Sequence, residues 1–353
     1  MHRHSTVAIL VIPLLLIAVA VQLIGQVVLE RITIVLFINL VMVLALQVYM
    51  GNSGVASFGH IAFMGIGAYA SSLLSMTPEA KASALRSGYP LVEQIHVPFM
   101  PALLGGALIA ALVAGVVGFP LMRLSGYGAV IATFAFLVIV HVVLIHWSEV
   151  TNGPRIIFGI EQLTTLWVTV ALGLLAVVLS YWFRETSLGL KLRASREDEH
   201  AAASIGINIV IVRLVAFILS AFMTGVAGGL WAHFITIYSP IAFYLTQTFL
   251  IIMMLIVGGA DSVSGAVVGT LLVTAIFEGL RATENAVNMS DLLPGSLAGF
   301  TEVLLAAAMI VLLIRRPQGI TGGYEIRWQH IRGLFSRSAD ADQAALAPAD
   351  REA

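Results

Sequence analysis

The run Phe99-Met-Pro-Ala-Leu-Leu-Gly-Gly-Ala-Leu-Ile-Ala-Ala-Leu-Val-Ala-Gly-Val-Val-Gly-Phe-Pro-Leu-Met122 carries no charged side chain. Coiled as an α-helix it is long enough to cross the ~30 Å hydrocarbon core of a bilayer, which needs about 20 mostly apolar residues. Nine further stretches of this kind flank it, at 7–26, 32–50, 57–76, 126–147, 164–183, 213–234, 243–260, 263–280 and 297–314. They are long and continuous, which favours helices over the short alternating segments of a β-barrel. Across all 353 residues, 59% are hydrophobic and 10% are charged, against roughly 25% charged in a soluble chain. A single soluble core stops growing near 250–300 residues, so water is excluded as the solvent for so much apolar surface. The expected fold is therefore an all-α integral membrane protein of about ten transmembrane helices, embedded in a lipid bilayer. A net charge of −1 gives no footprint for a nucleic-acid partner, and the absence of cysteine removes disulfides and thiolate metal sites.

The basic residues test the count. Arg184, Lys191, Arg193, Arg196 and Arg213 cluster between the sixth and seventh stretches, and six more basic residues follow residue 314. Positive charge marks cytoplasmic segments, and ten spans with both termini inside put both clusters on one side. The chain then divides into a first transmembrane half (1–183), a cytoplasmic loop (184–212), a second half (213–316) and a cytoplasmic tail (317–353). The tail is rich in Ala, Asp, Gln and Pro from about Ser336 and is expected to be disordered. Ala18-Val19-Ala20 loosely resembles a signal-cleavage site, but cleavage would leave an apolar stub and spoil the parity.

The inside loop has helix-forming chemistry. Ser195 can cap a helix, with Glu197, Asp198 and Glu199 in its first turn, where the macrodipole favours acids. Ala201-Ala202-Ala203 has high helix propensity, and Gly206 supplies a stop. The expected product is a helix of about nine residues over 195–205. Two readings stand here: a solvated loop helix, or a small-residue face that docks in a groove, with Arg193, Arg196, Glu197 and Asp198 setting register by charge.

A second feature interrupts the spans. Gly51, Gly54, Gly59, Gly65 and Gly67 fall within 51–67, with Ser53, Ser57 and His60 among them. Each glycine costs helix about 1 kcal/mol relative to alanine, so a break or very close packing is expected near 51–67. Irregular backbone at membrane depth survives only when buried in protein or lining a wet cavity. These residues are candidates for a translocation path, and small-residue helix packing is the alternative. A distantly similar arrangement recurs at Gly258-Gly259-Ala-Asp261-Ser-Val-Ser-Gly265, which adds Gly258 and Gly259 to the candidates. Glu278 and Arg281, three apart, suit a local ion pair.

Arg193-Ala-Ser-Arg-Glu-Asp-Glu-His-Ala-Ala-Ala-Ser-Ile-Gly-Ile-Asn208 closely resembles the coupling loop of LivM-type permeases, the branched-chain amino acid family of ABC transporters. Gly51-Asn-Ser-Gly-Val-Ala-Ser-Phe-Gly-His-Ile-Ala-Phe-Met-Gly-Ile-Gly-Ala-Tyr69, Thr151-Asn-Gly-Pro-Arg155, Ser239-Pro240 and Gly258-Gly259 through Gly269 also fit that family. The resemblance implies a multi-pass protein of the bacterial inner membrane, working by alternating access. It implies as partners a second related permease subunit, two ABC ATPases and a periplasmic substrate-binding protein. Arg193, Arg196, Glu197, Asp198, Glu199, Ala202, Ala203 and Gly206 become candidate coupling residues, although His200 stands where the wider importer pattern has glutamate. Branched-chain amino acids are the implied cargo; urea or short amides are the alternative within the same role. No loop ends in Gly-Lys-Ser/Thr, since the two lysines, Lys81 and Lys191, follow Ala80 and Leu190. ATP and Mg²⁺ are thus expected on the ATPase partners, with no cofactor, metal or catalytic residue in this chain. An ion-coupled secondary transporter would need paired intramembrane carboxylates, and the stretches are nearly free of acids away from their ends.

Overall fold

The computed structural model describes residues 3–85, 89–288, 299–316 and 318–325. Among these, regular structure is helical, apart from an isolated antiparallel bridge between Ile157 and Tyr238. The first group of helices is α1 (Arg3–Ile24), α2 (Val27–Leu46), α3 (His60–Ser75), α4 (Pro78–Ala84), α5 (Pro90–Gln94), α6 (Phe99–Leu121), α7 (Gly126–His146), α8 (Ser148–Thr151) and α9 (Leu166–Glu185). Two polar helices follow, α10 (Ser187–Glu197) and α11 (Glu199–Ser204). The last group is α12 (Ile209–Ile235), α13 (Leu245–Gly258), α14 (Val263–Asn288) and α15 (Phe300–Arg315).

Eight helical stretches are long and apolar enough to cross a membrane. The two remaining candidates hold shorter helices: α3 and α15 have 16 residues each. α3 is short because the chain enters it from an irregular segment. α2 continues through one π-helical turn, Gln47–Gly51, and regular α-helix resumes at His60. The break is therefore narrower than the glycines alone suggest. Gly65 and Gly67 lie inside α3, where they are contact points.

Their neighbours explain why. A Cβ on Gly67 would overlap the backbone of Gly225 in α12, and one on Gly228 would overlap the Met64 carbonyl in α3. One on Gly106 in α6 would come within 2.7 Å of the Gly67 oxygen, and one on Gly65 would lie 3.2 Å from Phe243 Cβ. Where lipid replaces water, helices associate by such close packing of small residues rather than by hydrophobic drive. α3, α6 and α12 form one tight bundle on this basis. α2 is the central helix of the molecule: 89% of its most apolar window is buried, against 17% for α1.

Side-chain pairings sort the connections into two ends. At one end Ser75 Oγ and His233 Nε2 are 2.6 Å apart, Tyr238 donates to Ser72 Oγ at 2.9 Å, and the Arg31 guanidinium lies 6.0 Å from the Phe234 ring centre. Lys81 is buried at this end, donating to the Val92 carbonyl at 2.9 Å and to that of Ile95. Burial pushes its pKa down. At the other end Tyr49 meets Met122 Sδ at 3.2 Å, and α10 packs over the end of α2.

Candidate functional site

The polar end containing α10 and α11 is a junction of four segments: the break after Gly51, the turn after Gly258, the loop helices, and residues 318–325. Each can be built from its own chemistry.

At the first break the π-turn and helix end leave carbonyls without amide partners. The Asn52 side chain takes two of them, donating to Gln47 O at 3.2 Å and Val48 O at 3.1 Å. Gly54 adopts φ +70°, a left-handed conformation suited to glycine, and its amide donates to Met50 O. Ser53 Oγ accepts from Val55 N at 3.2 Å. Ser57 Oγ lies 2.8 Å from His60 Nδ1 at the start of α3. A Cβ on Gly59 would come within 2.9 Å of the Thr133 carbonyl in α7. His60 is buried between the rings of Tyr49 and Phe217, each centred 5.5 Å away, and its Nε2 has no partner.

The second break is a turn between α13 and α14. Gly259 sits at φ +112°, and a Cβ on Gly258 would overlap the Gly265 carbonyl. Ser262 Oγ caps the start of α14 by accepting from Gly265 N at 2.9 Å. The remaining groups are satisfied from far along the chain. Ile320 N donates to Val257 O at 2.8 Å and Thr321 Oγ1 to Gly258 O at 2.8 Å. The Glu325 carboxylate accepts from Val263 N at 2.9 Å and Ser264 N at 3.1 Å, and it pairs with Arg184 at the end of α9. A carboxylate on the first amides of α14 complements the positive end of its macrodipole. Residues 318–325, read from sequence as the beginning of a disordered tail, are thus a strap over the second break. The rest of the expected tail, from 326 onward, lies outside the described residues.

The loop differs from expectation in its capping. Ser195 is buried inside α10 and donates to Leu192 O at 2.7 Å. Asp198 performs the cap, accepting from Ala201 N at 2.9 Å, and that bond holds its carboxyl below the usual carboxylate range. The expected single helix is thus two, meeting at Asp198. Gly206 does end α11: at φ +86° it donates to Ala203 O while Ile207 N donates to Ala202 O, the paired bonds of a Schellman motif.

Of the four charges assigned to a docking rim, Arg193 and Arg196 turn inward, while Glu197 and Asp198 stay exposed. Arg193 donates to Arg184 O at 3.2 Å. Glu199 pairs with Arg213, which is buried at the start of α12. Ala202 is buried beneath α11, leaving Glu197, Ala203 and Gly206 exposed. Ile205, which the sequence reading passed over, is 77% exposed at the helix end; its signal was an isoleucine directly before a helix-stopping glycine.

Arg196 brings the segments together. Its Nη1 donates to Gly51 O at 2.8 Å and to Asp261 Oδ1 at 2.6 Å, and the bond to Asp261 raises its already high pKa further. A Cβ on Gly54 would come within 2.7 Å of Arg196 Cγ. A Cβ on Gly51 would overlap the Ala260 carbonyl, so the two breaks also touch directly. One guanidinium therefore ties the exposed loop to both interruptions, 145 and 65 residues away in sequence.

Fold and junction define an α-helical multi-pass membrane protein whose polar loop is joined to two interrupted helices. The chain belongs to the family described as branched-chain amino acid transport system / permease component, whose model matches residues 28–313. It is 26% identical over 317 residues to the high-affinity branched-chain amino acid transport system permease protein LivM of Escherichia coli, covering 80% of this chain and 67% of that protein. The LivM of Salmonella typhimurium matches to the same extent. A probable branched-chain amino acid transport permease protein LivH of Methanocaldococcus jannaschii is 30% identical over 168 residues, 47% of this chain and 49% of its own. No solved structure matches.

Proposed function

We propose that this chain is a translocation subunit of an ATP-binding-cassette importer of the bacterial inner membrane, carrying branched-chain amino acids by alternating access. A second related permease, two ATPases and a periplasmic binding protein complete the assembly, and ATP and Mg²⁺ act on the ATPases. The observation that carries the reading is the Arg196 junction: the polar loop bears directly on two membrane interruptions. Ten crossings with both termini inside fit the end-to-end pairing of the helices. They place α10–α11 on the cytoplasmic face, within reach of soluble ATPases. Ile205, Ala203 and Gly206 form the docking face, while Arg196 relays loop displacement to Gly51 and Asp261. The glycines and hydroxyls of the first break, with His60, border the moving region.

The test is uptake by proteoliposomes holding this subunit with its neighbouring permease and ATPases, candidate binding proteins, labelled leucine, valine or urea, and ATP inside or absent. Leucine or valine uptake requiring both ATP and a binding protein is expected. Urea uptake alone would reassign the cargo, and uptake by this chain alone on an ion gradient would overturn the importer role.

A further inference from the structure

At the end opposite the junction, α2, α12 and α14 line an open groove of about 550 Å³, within the roughly 300–1,000 Å³ of small-molecule sites, with Arg31 and Arg281 exposed along it. Its polar groups are Arg31 from the second turn of α2 and Glu278, Arg281 and Asn285 from α14. Its apolar side includes Val35 and Phe234. Arg31 lies 6.0 Å from the centre of the Phe234 ring, which places a cation beside that apolar surface.

The charges are not consumed by one another. Glu278 and Arg281, spaced for a helical ion pair, do not form one, and no salt bridge within 4.0 Å engages Arg31, Glu278 or Arg281 among the described residues. Two guanidinium groups and one carboxylate thus face a shared space beside aliphatic and aromatic surface. A guanidinium fork matches a carboxylate bidentately. The Glu278 carboxylate matches an ammonium, and the apolar side takes an alkyl group without polar partners.

From this juxtaposition we infer that the groove is an outer-mouth binding site for a free zwitterionic aliphatic amino acid. Arg31 and Arg281 receive the α-carboxylate, Glu278 faces the α-ammonium, and Val35 and Phe234 contact the side chain. The site rests on the cargo reading above and adds a place where this chain itself meets that cargo. A neutral solute such as urea would leave its charges without partners, so the same groove selects against the alternative cargo.

The chain contains no cysteine, so Ala282→Cys on the groove wall is the one thiol of this subunit, and its labelling by a membrane-impermeant maleimide is read on this subunit's band alone. The assay uses the assembled importer in nanodiscs without binding protein. Leucine is expected to slow labelling saturably, while isovalerate, isoamylamine and urea, each lacking one or both charges, leave it unchanged. Labelling of Ser148→Cys, at the same end but outside the groove, should not respond to leucine. Arg31→Gln or Glu278→Gln should each weaken leucine protection by about tenfold or more, the loss of one charge-assisted contact. If leucine leaves the Ala282→Cys rate unchanged while the unsubstituted importer takes up leucine with its binding protein, the site is wrong and the cargo stands. Equal protection by isovalerate or urea would also overturn it. No leucine uptake by the unsubstituted importer would remove the cargo reading and the site with it.

Discussion

The two glycine-marked interruptions look alike in sequence and are held by different means. At the first, Asn52 covers the end of the π-turn and Ser57 meets His60 three residues on, while Thr133 Oγ1 of α7 accepts from Phe58 N at 3.3 Å. At the second, Ser262 is local, but Thr321 and Glu325 arrive from about 60 residues away. The first interruption is held by its own side chains and a neighbouring apolar helix, whereas the second depends on a strap from the far end of the chain. Arg196 binds one partner in each. Under the proposed function, a force on the loop therefore acts together on one interruption held among the helices and one held by the strap.

The contrast can be broken most severely where the interruptions touch. Gly51→Leu drives a side chain into the Ala260 carbonyl; because the obstacle is backbone, relief requires moving a helix end. Overpacking of this kind costs about 1–3 kcal/mol or more, and the expected outcome is a lower melting temperature of the solubilised complex with uptake abolished. Gly206→Leu is the counterpart: nothing lies within 4 Å of a Cβ there, but at φ +86° leucine costs about 1–2 kcal/mol of backbone strain, so melting should fall modestly, less than for Gly51→Leu, while docking is impaired.

A medium effect separates the two breaks. Glu325→Gln removes the charge shared by the α14 amides and Arg184, a contribution of about 0.3–2 kcal/mol for a charge at a helix N-terminus. Amide hydrogen exchange should accelerate at 262–266 and stay unchanged at 50–56. Asn52→Ala should do the reverse, by about 1 kcal/mol for the lost hydrogen bonds. Acceleration of both regions by either substitution would show that they open as one unit.

The smallest effect is expected from pH at the loop. The Ala201 amide holds the Asp198 carboxyl below its ordinary pKa. The folded value is depressed, so the cap's contribution is present above the unfolded pKa and is lost as pH falls through the lower folded one. Proteolysis within 186–208 should be flat from neutral pH down to roughly pH 4, the ordinary aspartate range, and rise only below it. Asp198→Asn, which can still cap, should remove the pH step and leave the loop ordered.

How much of this was readable beforehand follows from the range of the interactions. All ten apolar stretches hold helices, because the pattern that identifies them is local and long. The Gly206 stop was legible for the same reason, since a left-handed residue after an alanine run needs only its neighbours. The junction was not legible. Nothing near Arg196 announces that its partners are Gly51 and Asp261, so it was read with Arg193, Glu197 and Asp198 as a charge on a rim. Ala202 carries no mark distinguishing it from exposed Ala203. The strap escaped because Gly319, Gly322 and Gly323 look like coil, and its side-chain contacts, from Thr321 and Glu325, reach partners about 60 residues away in sequence. The break was drawn too long for the converse reason: Gly65 and Gly67 share composition with Gly51 and Gly54 but serve helix crossing.

The central claim is that Arg196 transmits motion from the loop to both interruptions, and a double-mutant cycle tests it most directly. ATP hydrolysis and leucine uptake would be measured in the reconstituted importer for Arg196→Gln, Asp261→Asn and the double substitution. With Arg196 and Asp261 30% and 48% exposed, their ion pair contributes up to about 1 kcal/mol. Each single substitution is therefore predicted to lower uptake by up to about fivefold while ATP hydrolysis continues, with the double no worse than Arg196→Gln alone. Wild-type uptake in Arg196→Gln, or losses that simply add in the double, would contradict the account.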